Sequence, residues 1–122
     1  MPSAEKNVTE QRKQITAKLV LSTCPDVEHA QRIASCLVAE RLAACVNLIP
    51  QMQSIYRWQD KIEQTNEVQL LIKSDHGTLS DLEARLTELH PYDVPEFLVV
   101  TIEDGSADYL AWLGQCLQRD TK

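Results

Sequence analysis

Residues 45–74 read CVNLIPQMQSIYRWQDKIEQTNEVQLLIKS, and their pattern predicts a long β-hairpin. From Ser54 to Trp58, successive side chains alternate between two faces, which is the period of two expected of a strand. Residues 59–61, Gln-Asp-Lys, are typical of a turn. We therefore predict two long strands joined near residue 60. The first of them is bent at Pro50, because proline cannot donate a hydrogen bond to a neighbouring strand.

The segments on either side of this hairpin alternate between strand and helix. Residues 15–24 are rich in apolar and β-branched side chains and end before a proline, as a strand does. Residues 26–43 and 75–90 carry apolar residues at helical spacing. Residues 96–104 are again strand-like, and Ser106 can cap a last helix. The order βαββαβ plus a C-terminal helix predicts an α+β fold of the ferredoxin-like split βαβ type, an antiparallel sheet with helices on one face.

The second face of this predicted sheet is too apolar to be exposed to solvent. In residues 19–23, 68–72 and 97–102, apolar side chains occupy both faces. A sheet covered on one side usually alternates apolar and polar residues. The last helix can cover only part of the second face. Since exposed apolar patches of this extent usually mark an interface, we expect another copy of the chain to pack there.

Composition and charge narrow the class of protein. The chain has 122 residues and a formal net charge of −6, with acidic and basic residues interspersed. It therefore lacks the Lys/Arg face with which a nucleic-acid-binding protein neutralises phosphates. No apolar run approaches the ~20 residues of a membrane span. Residues 1–14 are polar and expected to be disordered, and residues 15–122 are expected to form a single domain of a soluble, unsecreted protein.

Motifs for catalysis are missing from the sequence. It has no P-loop, no G-x-G-x-x-G and no G-x-S-x-G, and its three glycines are too few for a phosphate cradle of those kinds. Its four cysteines form no C-x-x-C pair, and without a secretory signal we expect reduced thiols. Carboxylates near the predicted strand ends are typical of a solvated rim; these are Glu63, Glu67, Glu96, Glu103 and Asp104. We therefore do not predict an enzyme.

Cys24 and His90 are the candidate metal ligands. In the split βαβ order, the first strand and the second helix end at the same edge of the sheet, with Glu96 beside them. A thiolate and an imidazole favour copper or zinc, and a carboxylate can complete the set. Two structural alternatives stand beside this hypothesis. His90 can simply end a helix, where an imidazole suits the helix dipole, and Cys24 can be a partly buried thiol at a strand end.

Aromatic residues form a second candidate site. Tyr56 and Trp58 lie two residues apart on one strand face, a spacing that is common in cores and interfaces. The alternative is the wall of a cleft, to which Tyr92 adds a ring and Lys73 and Glu96 add polar anchors. The two interpretations are compatible if the cleft lies between subunits. Its occupant would then be a small ligand or a protein partner.

Four segments of the chain resemble the CutA family of divalent-cation tolerance proteins. They are AERLAACVNLIP, SIYRWQDKIEQTNEVQLLIKS, ELHPYDVPEFLVV and DYLAWL. The resemblance runs from about residue 18 to residue 117. It implies a ferredoxin-like fold, a homotrimer built by β-pairing between subunits, a cytoplasmic setting and a role in tolerance of copper and other divalent metals. It also implies a distant likeness to the PII signalling proteins, which bind small ligands between subunits.

The candidate site residues match this family only in part. The family's copper binding is associated with a cysteine on the first strand and a His-His pair before Pro-Tyr. His90 matches the second histidine, but Leu89 stands at the first. The strand cysteine falls at Ser22, with Cys24 two residues on and on the same face, so the copper site is either shifted by one pleat or lost. The residues that match the family's intersubunit cleft are Tyr56, Trp58, Lys73, Tyr92 and Glu96.

Overall fold

The computed structural model describes residues 15–118, so the predicted disorder of residues 1–14 lies outside the described residues. The strands are β1 (Ala17–Cys24), β2 (Cys45–Trp58), β3 (Lys61–Asp75) and β4 (Leu98–Thr101). The helices are α1 (Val27–Ala39), α2 (Leu79–Leu89) and α3 (Ala107–Cys116), with a 3₁₀ turn at His76–Thr78. Within residues 15–118, no helix is long and apolar enough to cross a membrane.

The four strands form one antiparallel sheet in the order β2-β3-β1-β4. β1 lies in the middle and pairs with β3 along its whole length, from Ala17 opposite Asp75 to Cys24 opposite Val68. β4 pairs with the other side of β1. The α+β class and the antiparallel sheet are confirmed, and the strand order fits the split βαβ arrangement.

The predicted hairpin is present and has two local irregularities. Its turn consists of Gln59 and Asp60, both with positive φ (51° and 64°), as in the type I′ turns that match the twist of two-residue hairpins. Lys61 already belongs to β3. The pairing register shifts between Ile49 and Met52, where residue 51 has a φ of 61°. The bend predicted at Pro50 is this β-bulge.

Helix α1 ends earlier than predicted. The apolar stripe predicted a helix over residues 26–43, but the last helical residue is Ala39. Arg41 has a φ of 60°, a left-handed conformation that reverses the chain at many helix ends. The N–H groups of Leu42 and Ala43 then donate to Leu37 O at 2.9 and 3.2 Å. Both residues stay buried after the helix has ended, which is why the apolar pattern continues past it.

The second helix and the last strand are also shorter than predicted. The predicted helix 75–90 begins with the 3₁₀ turn, because the Asp75 carboxylate accepts the Thr78 N–H at 3.1 Å. The predicted strand 96–104 keeps only the four residues of β4, which are those that find a partner on β1.

The main core lies between the sheet and helices α1 and α2. Its buried members include Val20, Cys24, Ile33, Leu37, Leu70, Ile72, Leu82 and Leu86. Helix α3 packs on the opposite face of the sheet, where Leu113 and Leu117 cluster with Ala17 and Ala44. We call this second side the open face. Since Leu98 is 56% exposed and Val100 43% exposed, α3 covers only part of it, as the sequence predicted.

Two buried serines on the core side of the sheet provide a matched test of hydrogen bonding. Ser22 and Ser74 are both fully buried. Ser74 Oγ donates to Leu42 O at 2.8 Å, whereas Ser22 Oγ has no hydrogen-bond partner among the described residues. A buried hydroxyl without a partner costs about 1–3 kcal/mol.

We expect Ser22→Ala to raise the free energy of unfolding by about 1 kcal/mol and Ser74→Ala to lower it by a similar amount. Urea denaturation at one fixed protein concentration measures both changes. Equal destabilisation by the two variants would show that the Ser22 hydroxyl has a partner in solution.

Candidate functional site

Cys24 and His90 meet at one edge of the sheet. Cys24 is the last residue of β1, and His90 follows the last residue of α2. His90 has left the helical conformation (φ −81°, ψ 140°), because a residue before proline is excluded from the α region. Its N–H still donates to Leu86 O at 2.9 Å. Cys24 Sγ and His90 Nε2 lie 3.8 Å apart, so the predicted juxtaposition is present.

Hydrogen bonds to the backbone fix the tautomer of His90. Its Nε2 lies 2.6 Å from Thr23 O, and because a carbonyl can only accept, Nε2 carries the proton. Its Nδ1 accepts the N–H of Tyr92 at 3.1 Å, so Nδ1 has no proton. The imidazole is therefore neutral and links the Pro91 turn to the end of β1. Burial lowers the pKa of His90 below its usual value, which keeps the ring neutral at physiological pH.

Cys24 is a protonated thiol in this environment. Its side chain is fully buried. Burial, followed by the negative charges of Asp26 and Glu67, raises the pKa of the Cys24 thiol to about 11. A thiol in that state is a poor nucleophile. Catalysis by a Cys–His pair is not supported by this geometry.

The pair suits a soft metal ion in donor type and separation. A thiolate and an imidazole are ligands for copper and zinc. One ion with bonds of about 2.3 Å to sulfur and about 2.0 Å to nitrogen can span the 3.8 Å between the two atoms. Within residues 15–118, no group of three or more His, Cys, Asp or Glu side chains could hold a metal. Glu96 therefore does not complete the set, and residues 15–118 supply two ligands to the site.

Glu67 is a functional candidate that the sequence did not reveal. We expected it in a solvated rim, and that interpretation is wrong for this residue, whose exposed fraction is 9%. Its Oε2 accepts the hydroxyl of Tyr92 at 2.8 Å. Burial and this contact raise the pKa of the Tyr92 phenol. The ring of Tyr92 lies 4.8 Å from that of His90, so Glu67, Tyr92, His90 and Cys24 form one continuous chain of contacts.

The remaining cleft residues do not converge within one protomer. Tyr56 and Trp58 share the strand face of Glu67, since Met52 pairs with Glu67 and every second residue after it points the same way. Trp58 is 61% exposed near the hairpin turn. Lys73 lies six residues beyond Glu67, about 20 Å along β3, where its Nζ is 3.4 Å from the hydroxyl of Tyr109. Glu96 is half-buried ahead of β4.

Comparison with known proteins places this chain in a family. The family model described as CutA1 divalent ion tolerance protein matches residues 18–116. The divalent-cation tolerance protein CutA of Pectobacterium atrosepticum is 48% identical over 102 residues, which cover 84% of this chain and 93% of that protein. That of Thermus thermophilus is 46% identical over 79% of this chain and 93% of its own.

Solved structures agree with the sequence comparison. The crystal structure of CutA from Xylella fastidiosa has a TM-score of 0.83 and 45% identity, covering 84% of this chain and 99% of that one. CutA1 from Oryza sativa has a TM-score of 0.84 and 34% identity, with 87% and 97% coverage. This chain belongs to the CutA1 divalent ion tolerance protein family.

Proposed function

We propose that this protein acts in divalent-cation tolerance as a cytoplasmic homotrimer, and that it binds copper or another soft divalent ion at Cys24 and His90. The observation that carries the proposal is the 3.8 Å separation between a thiol and an imidazole from two different elements. The names of the relatives support the general role in cation tolerance. Soft donors favour copper and zinc over calcium or magnesium.

Taking up an ion requires both ligands to change state. Metal-binding thiols and imidazoles must give up their protons at the donor atom. The Cys24 thiol would release its proton, and the proton on His90 Nε2 would have to move to Nδ1. The ring would then lose its hydrogen bond to Thr23 O and the one that it accepts from the Tyr92 N–H. These costs, together with only two ligands from one chain, predict moderate affinity and rapid release. Both properties suit transient metal binding more than a permanent structural site.

Assembly as a trimer is supported by the two edges of the sheet. Among residues 15–118, β2 and β4 each have one unpaired side, and exposed apolar side chains lie on both. They are Ile49 and Ile55 on β2, and Leu98, Val99 and Val100 on β4. Exposed edges of this kind pair readily with another chain. Pairing of β2 from one copy with β4 of the next is head-to-tail, and such contacts form a ring when the rotation between successive copies closes.

Calorimetric titration of Cu(II) and Zn(II) tests the metal site. We expect about one ion per protomer in wild type, and binding at least tenfold weaker in both His90→Ala and Cys24→Ala, a loss of about 1.4 kcal/mol. His76→Ala is the matched control, because His76 is exposed in the 3₁₀ turn, outside the pair. Light scattering checks that each variant keeps the wild-type assembly. Absent binding, or equal binding in all four proteins, would refute the assignment.

In a second candidate function, a ligand binds on the open face of the sheet and the Cys24–His90 pair takes no part. A PII-like scaffold would bind a small ligand or a protein partner in a cleft between subunits. The observation that favours it is the nearly buried Glu67 carboxylate beside exposed aromatic rings on the same strand face. The two functions differ in their dependence on His90, because only metal binding at the pair is lost in His90→Ala.

A further inference from the structure

Glu67 is a nearly buried carboxylate that forms no ion pair with the described part of the chain. Its exposed fraction is 9%, and its hydrogen bond comes from the neutral hydroxyl of Tyr92. Within residues 15–118, the ion pairs join other residues and none involves Glu67. Burying a carboxylate is costly unless a cation or several donors compensate it. A counter-charge is therefore expected from a group other than the side chains of residues 15–118.

Aromatic rings stand on the same side of the sheet as this carboxylate. Met52 is paired with Glu67, and Tyr56 follows on the same face of β2. Tyr56 is 42% exposed and pairs with Glu63, four residues before Glu67 on β3. The faces of aromatic rings attract cations. The arrangement is a nearly buried carboxylate that accepts a hydrogen bond from one phenol, with a second, solvent-exposed ring further along the same strand face.

The chemistry of this arrangement favours an organic cation over a metal ion. A divalent metal requires several oxygen, nitrogen or sulfur ligands, and no suitable group of three exists in the described part of the chain. One carboxylate with aromatic residues on the same strand face is instead suited to an organic cation that has a single positive charge and an apolar part. Ammonium and guanidinium groups both donate to carboxylates and lie against aromatic faces.

We propose that Glu67, with Tyr92 and Tyr56, binds an alkylammonium or guanidinium group on the open face of the sheet. The group belongs either to a free small molecule or to a Lys or Arg side chain of a second copy of this chain. The inference rests on the second candidate function, ligand binding on the open face, and is independent of copper binding because Glu67 is not one of the proposed metal ligands. A negative result in the metal titration would therefore not contradict the cation-binding proposal.

Titration of propylammonium chloride and ethylguanidinium chloride into the assembled protein tests the proposal, with 1-propanol as the neutral control. Glu67→Gln removes the charge but keeps an oxygen that can accept the Tyr92 hydroxyl. Glu63→Gln is the matched control, since Glu63 lies on the same face of β3 opposite Tyr56 and is more exposed. Calorimetry measures affinity, and light scattering at micromolar concentration measures assembly.

The outcomes distinguish the two sources of the cation. Saturable binding of either cation that falls at least tenfold in Glu67→Gln, but not in Glu63→Gln, indicates a free ligand. No binding to wild type, combined with smaller particles for Glu67→Gln alone, indicates a side chain of a second copy. If Glu67→Gln fails to fold, Tyr56→Leu at an exposed ring is the substitute and is expected to weaken cation binding at least threefold, or to give smaller particles.

Two results would overturn the proposal. The first is that the variants and wild type agree in both cation binding and assembly. The second is that Glu67 binds Zn(II), with loss in Glu67→Gln, while neither organic cation binds to wild type and assembly is unchanged.

Discussion

Replacing Leu86 with alanine is expected to lower the free energy of unfolding by about 2–5 kcal/mol. Leu86 is fully buried in the main core between the helices and the sheet. Its carbonyl also accepts the N–H of His90, so the residue anchors the end of the helix that carries the candidate ligand. Truncation loses the transfer free energy of the removed carbons and leaves a cavity that a close-packed core fills only in part.

Urea denaturation at a fixed protomer concentration measures this loss, because the stability of an oligomer depends on concentration. Glu83→Ala on the same helix is the matched control. Glu83 is exposed, and its alanine variant is expected to stay within about 0.5 kcal/mol of wild type. If Leu86→Ala costs no more than this control, the packing described for α2 against the sheet is wrong.

Alkaline pH is expected to destabilise the wild type by about 2 kcal/mol more than it destabilises Cys24→Ala. The pKa of Cys24 is about 11 in the folded protein, against a reference value of 9.0. Between these values the unfolded chain has lost the thiol proton and the folded chain still holds it. The stabilisation is therefore complete below about pH 9 and is lost as the pH rises towards 11.

Unfolding in urea at about pH 8 and about pH 11, in EDTA-containing buffer, measures this difference. The raised pKa of Tyr92 also makes the folded state less stable at alkaline pH. Tyr92 is present in both proteins, so all of its contribution except the part due to the Cys24 charge cancels in the comparison. Parallel losses in wild type and Cys24→Ala would mean that the folded thiol titrates near its ordinary pKa, and hence that Cys24 is accessible to water.

The fold followed from local sequence patterns wherever those patterns were unambiguous. Alternation and turn residues predicted the long hairpin, and Asp26 and Ser106 cap their helices through side-chain bonds to His29 N and Tyr109 N. The errors have tertiary causes. Leu42 continues the apolar stripe of α1 but is buried after a chain reversal, and β4 is short because strand pairing depends on a partner as well as on its own sequence.

The candidate site was predictable to the extent that topology determines it. The split βαβ order brought the ends of β1 and α2 together, and Cys24 and His90 are in contact. The bonds that occupy both ring nitrogens of His90 come from backbone groups at positions 23 and 92, which no residue pattern specifies. Glu67 is nearly buried and accepts a hydrogen bond from Tyr92, which lies 25 residues further along the chain. The position of Glu67 next to an apolar run in the sequence did not reveal this contact, and the predicted exposure was wrong.

X-ray absorption at the copper and zinc edges of the metal-loaded protein tests the central claim most directly, because it counts the atoms bound to the ion. We predict one sulfur at about 2.3 Å and at least one imidazole nitrogen at about 2.0–2.1 Å. The sulfur should disappear in Cys24→Ala. A shell of nitrogen and oxygen alone in wild type, or a sulfur that persists in Cys24→Ala, would contradict the assignment of the metal to the Cys24–His90 pair.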